Sequence, residues 1–160
     1  IGPIERISAI HASDERKAMD GAAILAEAVG IAPQIHPALG ENGRSATGFL
    51  PPREFEATAD LFFAHPDESI RGWERACDAQ ARIVAAVTDI LTTHQGGGDV
   101  AIIAHGGVGA LLLAHLKGVP ISRDWDQPAN GGGNFFAFRP DMARVLHGWR
   151  SIDELSDAHT

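Results

Sequence analysis

The sequence has 160 residues, of which 44% are hydrophobic and 21% charged, a balance typical of one globular domain with a sizeable core. Its formal net charge of −8 argues against a general nucleic-acid surface, because such a surface needs a basic patch. The single cysteine, Cys77, excludes an internal disulfide and suits a reducing compartment, so we expect a cytoplasmic protein.

The amino-terminal part of the chain has the pattern of a strand followed by a helix. Apolar and polar residues alternate over 4–12, which predicts a strand. Ser13 stands where the N-cap of a helix is expected, and apolar residues then recur at helical spacing to Val29, with Gly30 as the C-cap. A second short strand is expected over 34–39.

A loop and two helices are predicted next. The stretch 41–52 is glycine-containing and ends in two prolines, which indicates a loop. Apolar residues outline one amphipathic helix from Phe55 up to Pro66 and a longer one over 69–93. Cys77 falls within the longer helix, where a packed thiol is the expected role.

The most informative stretch is the short apolar run 100–104, which ends at His105 and a glycine-rich turn. Such a run predicts a central parallel strand flanked by other strands, followed by an apolar helix over 108–116. Ligands of open α/β sheets bind beyond the carboxyl ends of the strands. Glycines there let backbone N–H groups approach an anion, and a histidine at that point can donate a hydrogen bond or carry a proton.

The chain closes with a loop over 120–133 and two strand-like runs, 134–139 and 143–150, joined by a turn at Pro140 and Asp141. Strands and helices therefore alternate along most of the sequence. This order predicts a three-layer αβα domain with a mostly parallel sheet and helices on both faces.

Three segments, 12–22, 39–44 and 100–109, resemble the histidine phosphatase superfamily, also called the phosphoglycerate-mutase-like family. The first is similar to the family's strand-to-helix segment, in which a serine precedes a basic residue. The second is similar to the loop with the family's acidic residue, Glu41 here. The third resembles the strand that delivers the family's second active-site histidine, His105 here. They follow one another in the order expected for the family and together span positions 12–109 of the chain.

The family's Arg-His-Gly motif, whose histidine takes the phosphoryl group, does not occur in this sequence. We therefore expect residues 1–160 to be a single domain of this type, with the first strand, its motif and the first helix preceding Ile1. The serine-basic segment also departs from the family, because Lys17 has the usual arginine spacing while Arg16 lies beside it. Neighbouring helix residues point about 100° apart, so which of the two faces the pocket stays open.

The resemblance implies a role for each candidate residue. His105 would donate to a phosphoryl oxygen, Arg16 or Lys17 would bind another, and the backbone of Gly106 would add to the phosphate site. Glu41 would protonate the leaving oxygen and then activate water. The ordinary alternative for Arg16 and Lys17 is that they are exposed helix charges, and for Glu41 that it is a solvated loop carboxylate. No metal and no cofactor is implied, and the remaining histidines lack metal-ligand spacing.

The sequence thus predicts a phosphatase or phosphomutase acting on a small phosphorylated substrate through a phosphohistidine, with phosphate or sulfate as a further ligand. Neither nucleic acid nor a membrane is expected as a partner, because no apolar run approaches the length of a transmembrane helix. One alternative is a catalytically inactive phosphate-binding or regulatory module on the same scaffold. Another is an unrelated α/β binding protein, in which Glu41, Arg16 and His105 would not converge.

Overall fold

A parallel sheet lies between helices on both of its faces in the computed structural model, which describes residues 4–155. Its strands are β1 (Ile7–Ala12), β2 (Gln34–Ile35) and β3 (Asp99–Ile103), in the order β2-β1-β3. His11 of β1 pairs with Gln34 on one side and with Ile102 on the other. The carboxyl ends of β1 and β3 therefore lie side by side.

The described residues form four α-helices: α1 (Arg16–Val29), α2 (Pro52–Ala64), α3 (Ala76–Thr93) and α4 (Gly106–Lys117). None of the helices within residues 4–155 is long and apolar enough to cross a membrane. Both α1 and α4 end at a left-handed glycine, Gly30 and Gly118, as the sequence predicts for Gly30.

Side chains of β3 alternate between two hydrophobic clusters, one on each face of the sheet. Ala101 and Ile103 pack with Ala22 of α1, whereas Val100 and Ile102 pack with the buried residues of α3 and α4. The helices thus cover both faces of the sheet. This confirms the predicted three-layer α/β class.

The last two strands, β4 (Asn134–Phe138) and β5 (Val145–Ser151), form an antiparallel hairpin that is separate from the parallel sheet. The hairpin nevertheless shares its packing with that sheet, since Phe136 and Phe138 join the cluster that contains Val100 and Ile102. Both sheets therefore lie against the same two helices, α3 and α4.

The expectation that 100–104 forms a central strand is wrong for the described residues. There, β1 is the central strand, and β3 pairs with β1 alone. An apolar run indicates that both faces of a strand are covered, and the helices do cover them. It carries no information on whether both edges are hydrogen-bonded.

Several predicted boundaries also need correction. Ser13 is not the N-cap of α1, because that position belongs to Glu15. The strand expected over 34–39 has only two residues, followed by a 3-10 turn over Pro37–Leu39. The long helix begins at Ala76 rather than at residue 69, so Cys77 is the second residue of α3 and not mid-helix.

Candidate active site

The carboxyl ends of β1 and β3 bring Ser13 and His105 together. The N–H of Ser13 donates to the Ile103 carbonyl at 3.0 Å, which extends the strand pairing by one step. The Ser13 hydroxyl then lies 2.9 Å from Nε2 of His105. The His105 imidazole is largely buried, with 12% of its side chain exposed. A short polar contact between two strand ends therefore holds the ring in place.

The carboxylate of Glu15 is the second partner of His105. Its Oε2 lies 3.0 Å from Nε2 of His105 and also accepts the N–H of Glu41 at 2.6 Å. One carboxylate oxygen of Glu15 thus contacts both the His105 ring and the backbone of the loop that carries Glu41.

Glu41 lies at the amino-terminal end of α4. Its two carboxylate oxygens accept hydrogen bonds from the N–H groups of Gly107, at 3.0 Å, and Val108, at 2.9 Å. The first N–H groups of a helix have no intrahelical acceptor, and the helix dipole favours an anion there. A side-chain carbon on Gly107 would lie only 2.6 Å from Oε1 of Glu41, so this approach requires glycine.

Arg82 of α3 fixes the loop that carries Glu41. Its guanidinium donates to the carbonyl oxygens of Ala38 and Gly40, both at 2.9 Å, and of Glu41 at 3.3 Å. The same group pairs with Glu74, whose carboxylate accepts the N–H of Gly43 at 3.0 Å. Burial alone would raise the pKa of Glu74, but the hydrogen bonds from Arg82 and Gly43 outweigh it and lower this pKa.

The two basic candidates are placed differently. The side chain of Arg16 is 92% exposed and its guanidinium lies 3.8 Å from Asp20 on the outer face of α1, so the structure does not bring it to His105 or Glu41. Lys17 is also exposed but points toward residues 131–133, here called the glycine loop, since a side-chain carbon on Gly132 would lie 3.6 Å from its Nζ.

That glycine loop reaches the start of α4 through polar side chains. Asn134 donates to Oε1 of Gln127 at 3.2 Å, and the Gln127 amide in turn packs directly against Gly106, the first residue of α4. Of the predicted residues, His105, Glu41 and Gly106 therefore share one end of α4, with Lys17 at its border. In residues 4–155 no group of three acidic, histidine or cysteine side chains has metal-binding geometry.

Sequence reasoning missed Glu15 and Arg82 and gave Ser13 the wrong role. Two parallel strands ending at Ser13 and His105 were both predicted, and their shared edge could have revealed this contact. Arg82 donates to carbonyl oxygens more than forty positions away in the chain, at Ala38 and Gly40. No local pattern signals such a contact.

Comparison with known proteins gives one family match. A sequence profile of the histidine phosphatase superfamily (branch 1) matches residues 3–147. No curated protein matches the chain significantly.

Solved structures with the same fold include a mycobacterial glucosyl-3-phosphoglycerate phosphatase in complex with VO3, which is 26% identical with a TM-score of 0.61. That match covers 74% of this chain and 62% of the other. The native form of the mycobacterial phosphatase is 26% identical with a TM-score of 0.63, over 91% of this chain and 76% of that one.

YhfR of Bacillus stearothermophilus has a TM-score of 0.66 at 23% identity, over 89% of this chain and 78% of that one, which shows a shared fold. The chain spans only 62% of the length of the first two solved relatives, a mycobacterial hydrolase and the VO3 complex.

Proposed function

Because this chain belongs to the histidine phosphatase superfamily, we propose that it hydrolyses phosphoric monoesters of a small substrate through a phosphohistidine. The observation that supports this proposal most is the convergence of His105 and Glu41 at the start of α4. In this structure the same place already binds two carboxylates, those of Glu15 and Glu41, through Nε2 of His105 and backbone N–H groups.

In the proposed reaction His105 stabilises the transferring group. A phosphoryl group in transfer spreads negative charge over its equatorial oxygens, so catalysis depends mainly on positioning and electrostatics. Nε2 of His105 lies 3.0 Å from an anionic oxygen of Glu15, which is the distance required for donation to a phosphoryl oxygen. When substrate binds, a phosphoryl oxygen replaces the Glu15 oxygen.

Glu41 is the proposed acid and base. The neutral imidazole of the nucleophilic histidine attacks phosphorus, the bond to the leaving oxygen breaks, and the Glu41 proton passes to that oxygen. Water then attacks the phosphohistidine, the P–N bond breaks, and the Glu41 carboxylate takes the proton from water.

The remaining phosphate contacts come from the border of the site. Gly106 is the first residue of α4. Lys17 lies next to the glycine loop, which is connected to Gly106 through Gln127. We assign phosphate binding to Gly106 and Lys17. Arg16 has this role only if its side chain turns away from Asp20.

The nucleophilic histidine is proposed to lie on a strand outside the 160 residues. Within residues 4–155, β3 pairs along one edge only and β4 pairs with β5 only. Both strands pack on one hydrophobic cluster, so a further strand between them would join the two sheets into one. An Arg-His-Gly at the end of such a parallel strand would lie beside His105.

A second candidate is a phosphate-binding module on this scaffold that performs no chemistry, because His105 and the N–H groups at the start of α4 bind carboxylate oxygens without a nucleophile. Intact mass and the gene sequence of the native protein distinguish the two functions. Arg-His-Gly upstream of Ile1, within the same domain, supports the enzyme, and a native start at Ile1 supports the module.

A cytoplasmic location stays a prediction based on cysteine usage.

The substitution Glu41→Gln in the full-length protein tests the acid role. We expect kcat/KM to fall about 100-fold or more for an alkyl phosphate, because its leaving alkoxide needs a proton, and less than about tenfold for p-nitrophenyl phosphate. Glu27→Gln on the exposed face of α1 is the matched control and should change neither value. Equal losses for good and poor leaving groups would contradict the acid role.

A further inference from the structure

An open cleft of about 420 Å³ lies between the acidic loop and α2. We call it the aromatic cleft; it is lined mainly by Arg44, Phe49, Leu50, Pro52, Phe55 and Trp73. A volume of a few hundred cubic ångströms is in the range of small-molecule sites. The proposed phosphatase reaction makes no use of these side chains.

Arg44 connects the aromatic cleft with the proposed acid. Its Nη2 lies 3.6 Å from Oε2 of Glu41, while its guanidinium carbon lies 4.8 Å from the ring centre of Phe55 and 5.0 Å from that of Trp73. One guanidinium group therefore separates the carboxylate from the aromatic rings.

The cleft has a rigid floor and an exposed wall. Trp73 is buried and its indole N–H donates to Thr47 at 2.8 Å, whereas the Phe49 side chain on the opposite wall is 91% exposed. The charge of Glu56 at the rim is paired with Arg123 at 2.6 Å. The lining is therefore mainly apolar, and the guanidinium of Arg44 is stacked on two of its aromatic rings.

We propose that the aromatic cleft binds the leaving group of the substrate, and that this group is an aromatic or similarly flat apolar alcohol. This inference rests on the proposed phosphatase function and adds the substrate class. Arg44 then lies between the phosphoryl end, which binds at α4, and the apolar end, which packs against Phe49 and Phe55. A compact polar alcohol would leave the exposed Phe49 ring in water.

Two substrates with similar leaving-group acidity, 2-phenylethyl phosphate and ethyl phosphate, test the proposal with the full-length protein. We expect a kcat/KM at least tenfold higher for the phenylethyl ester, mainly through a lower KM, because the ring stays bound in ground and transition states alike. Phe49→Ala should reduce this preference about tenfold. The ring of Phe49 is exposed, so its removal does not disturb the core.

Ile24→Ala, which truncates another exposed apolar side chain on α1, is the matched control and should keep the wild-type preference. Equal kcat/KM for both esters, or a preference that survives Phe49→Ala, would overturn the proposal. If neither ester nor p-nitrophenyl phosphate is hydrolysed, the proposed function itself fails.

Discussion

His11 and His36 form a side-chain pair in which His11 is buried and His36 is partly exposed. Nδ1 of His11 lies 2.8 Å from Nε2 of His36, so one ring donates and the other accepts. Burial lowers the pKa of His11 from its ordinary value of 6.5, and positive charge on His36 and His94 lowers it further. Protonation of both rings would place two N–H donors against each other.

This pair predicts a pH dependence of stability. Because the pKa of His11 is lower in the folded state, the unfolded chain binds more protons below about pH 6.5. The free energy of unfolding therefore decreases as the pH is lowered. We expect a lower Tm at pH 5.5 than at pH 7.5. His11→Gln should reduce this difference in Tm, as measured by thermal unfolding.

The exposed His115 on α4 provides the control for that comparison. His115→Gln should keep the wild-type difference in Tm between the two pH values. If His11→Gln also keeps it, the pair does not determine the acid sensitivity.

The amino-terminal end of α4 is the element that organises the proposed site. His105 is its N-cap residue, and the N–H groups of its second and third residues, Gly107 and Val108, donate to the Glu41 carboxylate. The helix therefore orients the imidazole and the proposed acid together. Catalytic geometry in such a site is sensitive to displacements of about 1 Å.

Gly107→Ala tests this dependence. A methyl group at Gly107 would lie 2.6 Å from Oε1 of Glu41 and must displace the carboxylate. We expect kcat/KM for an alkyl phosphate to fall about 10- to 100-fold, while Tm changes little because alanine favours the helix. Steady-state kinetics on the full chain measures the effect.

Gly148→Ala in β5, where a methyl group meets no atom within 4 Å, is the matched control. It should keep full activity. Equal kcat/KM in both variants would show that catalysis does not depend on the position of the Glu41 carboxylate at the start of α4.

The elements that the sequence predicted well are those with a strong local pattern. The β3 run, the glycine turn and α4 follow from an apolar stretch that ends at His105, and the C-cap of α1 follows from Gly30. Ser13 was misjudged as an N-cap because its local context matches one. Its contact with His105 joins residues 92 positions apart, which no local pattern shows.

The sequence predicted that helices cover both faces of the sheet but not which strand edges are hydrogen-bonded. Apolar residues on both faces of β3 indicate covering helices, and α1, α3 and α4 provide them. The unpaired edge of β3 within residues 4–155 has no signature in the sequence, because main-chain groups are the same at every position. The same edge is the basis for placing the nucleophile on a further strand.

The most direct measurement is the turnover of p-nitrophenyl phosphate by the full-length protein and its His105→Ala variant. The proposed mechanism predicts a loss of about 1000-fold or more, because the imidazole stabilises charge on the transferring phosphoryl group. Unfolding of the variant should stay cooperative. Unchanged turnover in His105→Ala would contradict the proposed site and the function built on it.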